Sequence, residues 1–272
     1  MVLELGVVAS AAWRPGARRR LRVLGGDRDA FPISTDVARR LVGNRTGSLT
    51  VELHHDLPIG QGFGMSAAGA LATALAVSGV LGRPRAKAIE VAHLSDLFGG
   101  GGLGGVAAIL GGGLEFRRTP GVPPFGNVRR LPWAPSVFVG VVGDPMPSPQ
   151  RLQNARFLQK VGARAGELDS LLEHPDPARF FRTCERFTDR MGVASTRLRR
   201  TLWDLRADGA WAFQAMFGES FLAAPRTAPA RGRVIRGLRA RGIRAVEVRV
   251  AAHGARRLPS SLVPRAGHTQ PF

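Results

Sequence analysis

The chain has 272 residues, 44% of them hydrophobic and 22% charged, which suits one large or two small domains and excludes collagen-like, coiled-coil and acidic disordered classes. Its single cysteine, Cys184, cannot form an internal disulfide and points to a reducing cytoplasm. The formal net charge of +19 raises nucleic acid as a partner, alongside anionic small substrates or a solvated basic face.

Residues 2–9 read as a buried strand and 20–24 as an alternating one. Residues 33–42 have helical spacing, with Ser34 or Thr35 as the cap, and 49–53 alternate again. A glycine-punctuated turn then runs straight into an alanine-rich helix over 66–80. The whole apolar run is shorter than the ~18 residues of a membrane span, and Gly69 and Gly79 interrupt it, so a buried helix is expected. Residues 1–12 are apolar but carry Glu4 and no basic region, unlike a signal peptide. A helix over 85–97 precedes a glycine-rich loop, 99–113, which holds the short apolar segment 106–110. A strand at 114–117 and a proline-rich turn at 119–124 follow.

Near Trp133 the pattern changes, and a domain boundary is expected there. Residues 137–142 form an apolar strand, and helices are expected at about 150–173, 177–191 and 195–207, with a helix-like apolar stretch at 211–224. A helix at 231–241, a strand at 243–250 and a disordered tail after Pro259 complete the chain. The reading is an α/β (α+β) protein with domains at 1–133 and 134–259 and a tail at 260–272.

The basic excess is almost all arginine, since Lys87 and Lys160 are the only lysines, and tyrosine is absent. That skew reads as compositional bias over the whole chain. Only 226–257 is dense in arginine, and it carries one acid, Glu247. Neither aromatic interleaving nor a Cys/His zinc pattern accompanies it, so a specific nucleic-acid partner is not expected, and the 231–241 run reads as a solvated face.

The most informative segment is Pro58-Ile-Gly60-Gln61-Gly62-Phe63-Gly64-Met65-Ser66-Ala67. Glycines at alternate positions let backbone N–H groups approach an anion, and the helix that follows offers unpaired N–H groups and a positive dipole end. Ser66 can donate to a phosphate oxygen or help hold Mg²⁺. A tight strand-to-helix turn capped by Ser66 would use the same residues, so phosphate binding stays one of two readings. Two other glycine patterns fail. No Gly-x-x-x-x-Gly-Lys-Ser/Thr occurs, and the fingerprint match at Gly100, Gly102 and Gly105 lacks a preceding strand and a later acid. His93 and Asp96 share a helix face and could hold a metal or simply hydrogen-bond. Cys184 reads as core, and His54, His55, His174, His253 and His268 are scattered and receive no role.

The 58–67 segment resembles the second motif of the GHMP kinases, Pro-x-x-x-Gly-Leu-Gly-Ser-Ser-Ala-Ala, with Phe63 and Met65 in place of the Leu and the first Ser. Residues 56–76 resemble archaeal pantoate kinases in particular. So do Ala92-His-Leu-Ser-Asp96 with Gly102-Leu-Gly-Gly-Val106, Arg118-Thr-Pro-Gly-Val-Pro-Pro-Phe-Gly126, and Phe213-Gln-Ala-Met-Phe-Gly-Glu-Ser-Phe221. The likeness extends from residue 2 to about residue 258. It implies a two-domain GHMP kinase fold with an N-terminal ATP-binding domain, ATP and Mg²⁺ as cosubstrates, and phosphorylation of the 4-hydroxyl of pantoate toward coenzyme A. It implies nucleotide contacts along 58–67 and places Ser66 and Asp96 at Mg²⁺, Asp96 standing where the family has Glu. It leaves open a homodimer, another GHMP acceptor, or an impaired ATP-binding homologue.

Two departures from the family pattern lead to the expectation of a poor catalyst. A first motif like Pro-Gly-His-Ile-Thr-Gly-Phe-Phe and a Gly-Ser-x-Gly-Ala-Gly stretch lie outside the chain, as if its start were assigned too far downstream. Gly105 occupies the position of the family Asp that would accept the acceptor's proton, so no catalytic residue is assigned.

Overall fold

Strict alternation along Gly47–His55 buries Leu49, Val51 and Leu53 on one face and makes this strand, β3, the centre of the first sheet. The computed structural model describes residues 1–25, 31–131, 133–145, 154–163 and 166–259. The strand β1 (Val7–Pro15) runs antiparallel to β3, pairing Val7 with His55 and Pro15 with Gly47. On the other side β2 (Arg20–Leu24) pairs in parallel, Arg20 opposite Ser48, giving the order β1-β3-β2. A parallel pair needs a crossover, and α1 (Pro32–Val42) lies between β2 and β3 in the chain.

Two expectations shift here. The first strand forms at 7–15 rather than 2–9 because β3 sets its ladder; Val2 instead donates to the Gly113 carbonyl (3.0 Å) and accepts from Ala251 N–H (2.8 Å). The helix α1 starts at Pro32 with Phe31 as its N-cap residue, so Ser34 is no cap but a buried residue inside the first turn.

The alanine-rich helix α2 (Met65–Leu81) is buried along most of its length. At Gly69 an added Cβ would lie 3.3 Å from Ser34 Oγ, so the missing side chain lets α1 approach. The helix stops at Gly82, whose φ of +64° is left-handed and whose N–H returns to the Ser78 carbonyl. Next come α3 (Arg85–Phe98), α4 (Gly105–Gly111) and the two-stranded sheet of β4 (Leu114–Thr119) and β5 (Asn127–Leu131). The 99–113 stretch is therefore not all loop. Its apolar centre forms α4, with Val106 and Ala107 buried.

In the second unit, β6 (Ser136–Val141), β7 (Ala210–Gln214), β8 (Ser220–Pro225) and β9 (Ala245–Arg249) form an antiparallel sheet ordered β7-β8-β6-β9. The helices of this unit are α5 (Ala155–Gly162), α6 (Gly166–Glu173), α7 (Pro177–Met191), α8 (Thr196–Ala207) and α9 (Ala228–Ala240), the last three packed on the sheet. Four of these helices carry side-chain caps: Asn154, Asp176, Ser195 and Thr227 each accept a first-turn N–H. Leu198, Leu202 and Leu205 of α8 meet Phe138 and Phe221 of the sheet and Val234 and Leu238 of α9 in one core.

The helix expected at 211–224 is instead the β7–β8 hairpin. Apart from Gln214 and Ser220 at the turn its strands are apolar, so no period of two shows in the sequence, and a short apolar run does not distinguish strand from helix. The turn is marked by Gly218, whose N–H donates to the Ala215 carbonyl, and by Met216 at φ +46°. The disordered tail expected after Pro259 lies outside the described residues.

The chain divides into two compact units, one of Met1–Leu57, Gly64–Arg130 and the segment from Ala251, the other of Pro58–Phe63 and Leu131–Val250. Relative to the ranges read from sequence, 58–63 groups with the second unit and 251–259 with the first. Hydrogen bonds explain both: Gln61 is held by Gly143 and Ser220, while Ala251 and Ala255 donate to Val2 and Ile109.

Candidate active site

The glycine turn changes unit between Phe63 and Gly64, and each side has its own geometry. In the second unit Gly60 (φ +82°) and Gly62 (φ +78°) both hold left-handed conformations. The Gln61 side chain is buried and donates from Nε2 to the Gly143 carbonyl at 2.8 Å, and Ser220 Oγ donates to the Gln61 carbonyl. A Cβ on Gly62 would run into the Ala215 carbonyl, so this stretch is clamped on backbone.

In the first unit Gly64, at φ +74°, is the N-cap residue of α2 and offers no side chain to cap it. The first turn carries no acid, and the first helical bond is from Ala68 N–H to the Gly64 carbonyl (3.0 Å). The N–H groups of Met65, Ser66 and Ala67 precede that bond and have no acceptor within the helix. Met65 and Ala67 point inward, whereas Gly64 and Ser66 are exposed. A Cβ on Gly64 would meet nothing within 4 Å.

Ser66 is not the cap of its own helix. Its Oγ donates to Asp96 Oδ1 at 2.8 Å, joining the start of α2 to the end of α3. Asp96 is 2% exposed, and burial pushes its carboxyl up, opposed by the Ser66 hydroxyl and by His93. The buried His93 Nδ1 has no hydrogen-bond partner among the described residues. The glycine run then wraps Asp96: Gly101 N–H donates to its carbonyl at 2.8 Å, and a Cβ at Gly101 would strike its carboxylate. At Gly105 a Cβ would lie 2.6 Å from Ala67 Cβ and 3.4 Å from Asp96 Oδ2.

Arg117 carries no signal of a site role in the sequence. From β4 it lays its guanidinium where a Cβ of Gly104 would stand and pairs with Glu115 at 3.2 Å. Nothing marks it among 37 arginines except contact with the glycine run, which no linear pattern reveals. The Arg231–Arg241 stretch does more than coat a face: Arg231 pairs with Glu247 at 2.5 Å, and Arg241 pairs with Asp204 and Asp208. Cys184 sits half-buried on α7, and burial pushes its thiol up to about 12, away from the thiolate form.

Among the described residues no group of three or more His, Cys, Asp or Glu side chains is arranged to hold a metal ion. The oxygen pair of Ser66 and Asp96 nonetheless fits Mg²⁺, which usually takes one or two carboxylates and completes its shell with phosphate oxygens and water. Among the same residues no helix is long and apolar enough to cross a membrane.

Residues 33–113 match the family described as GHMP kinases N terminal domain. The chain is 32% identical over 169 residues to the pantoate kinase of Thermococcus kodakarensis, covering 61% of this chain and 56% of that protein. It is 36% identical over 101 residues to the pantoate kinase of Methanospirillum hungatei JF-1, covering 36% and 34% of the two chains. These matches span about half and a third of those relatives. A solved structure described as a phosphotransferase related to the CoA biosynthesis pathway superposes with a TM-score of 0.81 at 26% identity, over 93% of this chain and 86% of that one. Residues 33–113 are thus similar to the N-terminal domain of the GHMP kinases, and the fold is similar to that phosphotransferase.

Proposed function

We propose that the protein transfers the γ-phosphoryl group of ATP to the 4-hydroxyl of pantoate. The observation that carries this reading is the bare N-terminus of α2, with open space at Gly64 and Ser66 bonded to a buried Asp96. The similarity to two pantoate kinases supports the choice of acceptor.

Phosphoryl transfer asks a protein mainly for positioning and for charge neutralisation. The segment Pro58, Gly60, Gln61, Gly62, Phe63, Gly64, Met65, Ser66 and Ala67 supplies the nucleotide contacts. Within it the N–H groups of Met65, Ser66 and Ala67 bind phosphate oxygens, helped by the α2 dipole. Ser66 and Asp96 hold Mg²⁺, which when bound neutralises phosphate charge. We assign the acceptor's carboxylate to the Arg117 guanidinium, which lies alongside Gly104 and pairs with Glu115.

A second reading, a homologue that binds ATP but turns over slowly, is favoured by Gly105. No carboxylate stands there to accept the hydroxyl proton, and such help is worth about 10²–10⁴-fold in rate. A panel of pantoate, mevalonate and homoserine with coupled ADP detection tests both. Pantoate-dependent ADP release is expected; release with mevalonate or homoserine and not with pantoate would reject the acceptor. ATP binding with no turnover on any of them would select the second reading.

A further inference from the structure

Residues 60–63 lie in neither helix nor strand, so their geometry is imposed from outside. Two side-chain bonds impose it: Ser220 Oγ to the Gln61 carbonyl, and Gln61 Nε2 to the Gly143 carbonyl. Both anchors border one residue, Glu219. It precedes Ser220 in the chain, its carbonyl accepts from Val142 N–H at 2.8 Å, and a Cβ on Gly143 would lie 3.0 Å from its own Cβ.

The Glu219 side chain is 7% exposed and has no ion pair among the described residues. Its carboxylate instead accepts from Ser195 N–H at 3.2 Å and from Ser195 Oγ–H at 2.5 Å. Ser195 Oγ in turn accepts from Leu198 N–H at 3.1 Å, which makes it the N-cap of α8, a 12-residue helix whose positive end faces the carboxylate. A buried carboxylate without a cation is costly unless its hydrogen bonds are met, and here two charge-assisted bonds at a helix N-terminus meet them.

We infer that Glu219 is a positioning residue for the nucleotide-binding turn: tied to Ser195, it fixes Ser220 and Gly143, and through them the backbone at Gln61. This rests on the reading of the Gly60–Ser66 segment as the nucleotide turn. The Ser195 tether sets the β7–β8 turn against α8, and the clamp on Gln61 leaves from that same turn. Loosening the tether therefore loosens residues 58–64 while the core of α8 and the sheet stays packed.

The test uses the 272-residue chain carrying Glu219→Ala, Glu219→Gln, Ser195→Ala, and Glu219→Ala with Ser195→Ala. Calorimetry with Mg·ATP, hydrogen exchange at 58–64 and the melting temperature are read for each. Glu219→Ala is expected to weaken Mg·ATP binding about tenfold, the scale of a lost bond to a charged group, and to speed exchange at 58–64. Glu219→Gln keeps an oxygen that Ser195 can donate to and should recover most of the affinity. The double variant should be no worse than Glu219→Ala, as for two residues sharing one interaction. Wild-type affinity and unchanged exchange at 58–64 in Glu219→Ala and in Ser195→Ala, beside a lowered melting temperature, would overturn the inference. A wild-type chain that does not bind Mg·ATP would defeat the nucleotide reading instead, and the exchange data would still judge the tether.

Discussion

Gly62 and Gly64 stand two residues apart, both at left-handed φ near +75°, and they are glycines for opposite reasons. A side chain on Gly62 would collide with the Ala215 carbonyl, so that position serves the fold of the second unit. A side chain on Gly64 would collide with nothing, so what its absence preserves, beyond a permissible φ, is open space in front of the α2 N-terminus. One sequence motif thus contains a glycine that packing requires and a glycine beside open space, and only the surroundings tell them apart.

Three variants separate these roles, each costing less stability than the one before. Gly62→Ala should be the most damaging, since backbone must move to admit the Cβ. A loss of about 2–4 kcal/mol, as for other overpacked or strained sites, is expected in denaturant unfolding, with Mg·ATP binding lost alongside. Gly105→Asp comes second. It restores the acid of the family pattern, yet its Cβ would press on Ala67 and its carboxylate would stand beside Asp96. About 1–3 kcal/mol of destabilisation is expected, with no gain in pantoate-dependent ADP release. A clear gain in turnover with unchanged stability would show that α4 can shift to admit the residue.

Asp96→Asn should cost the least stability and change its pH dependence. Burial raises the carboxyl's pKa in the folded chain. As pH rises from the ordinary carboxylate pKa to that raised value, the unfolded chain has lost the proton while the folded chain keeps it. The group's contribution to stability is therefore full at low pH and falls through that window. The Asn variant should lack the fall. Mg·ATP binding by the wild type should tighten over the same window as Asp96 ionises, and the Asn variant should show weak, pH-independent binding. Calorimetry at several pH values checks both.

The positions of α2, α3, α8 and β3 were legible because caps, breakers and periodicity agree there. The β7–β8 hairpin was not, because strands covered on both faces show no alternation. Within the candidate site, the glycine turn and the Ser66 and Asp96 pair could be read from motif wording. Two features could not. The crossing of Gly60–Phe63 into the second unit depends on Gly143 and Ser220, 82 and 159 residues away from Gln61. The placing of Arg117 against Gly104 depends on a strand contact that arginine abundance conceals.

The central claim is that the α2 N-terminus, kept open by Gly64, receives the ATP phosphates. Calorimetric titration of Gly64→Ala and wild type with Mg·ATP, alongside their melting curves, tests it most directly. The left-handed φ should cost the variant about 1–2 kcal/mol and leave it folded. Its Mg·ATP affinity should fall by far more than the same titration of a surface variant such as Lys87→Ala. A folded Gly64→Ala variant that binds Mg·ATP as tightly as the wild type would contradict the account.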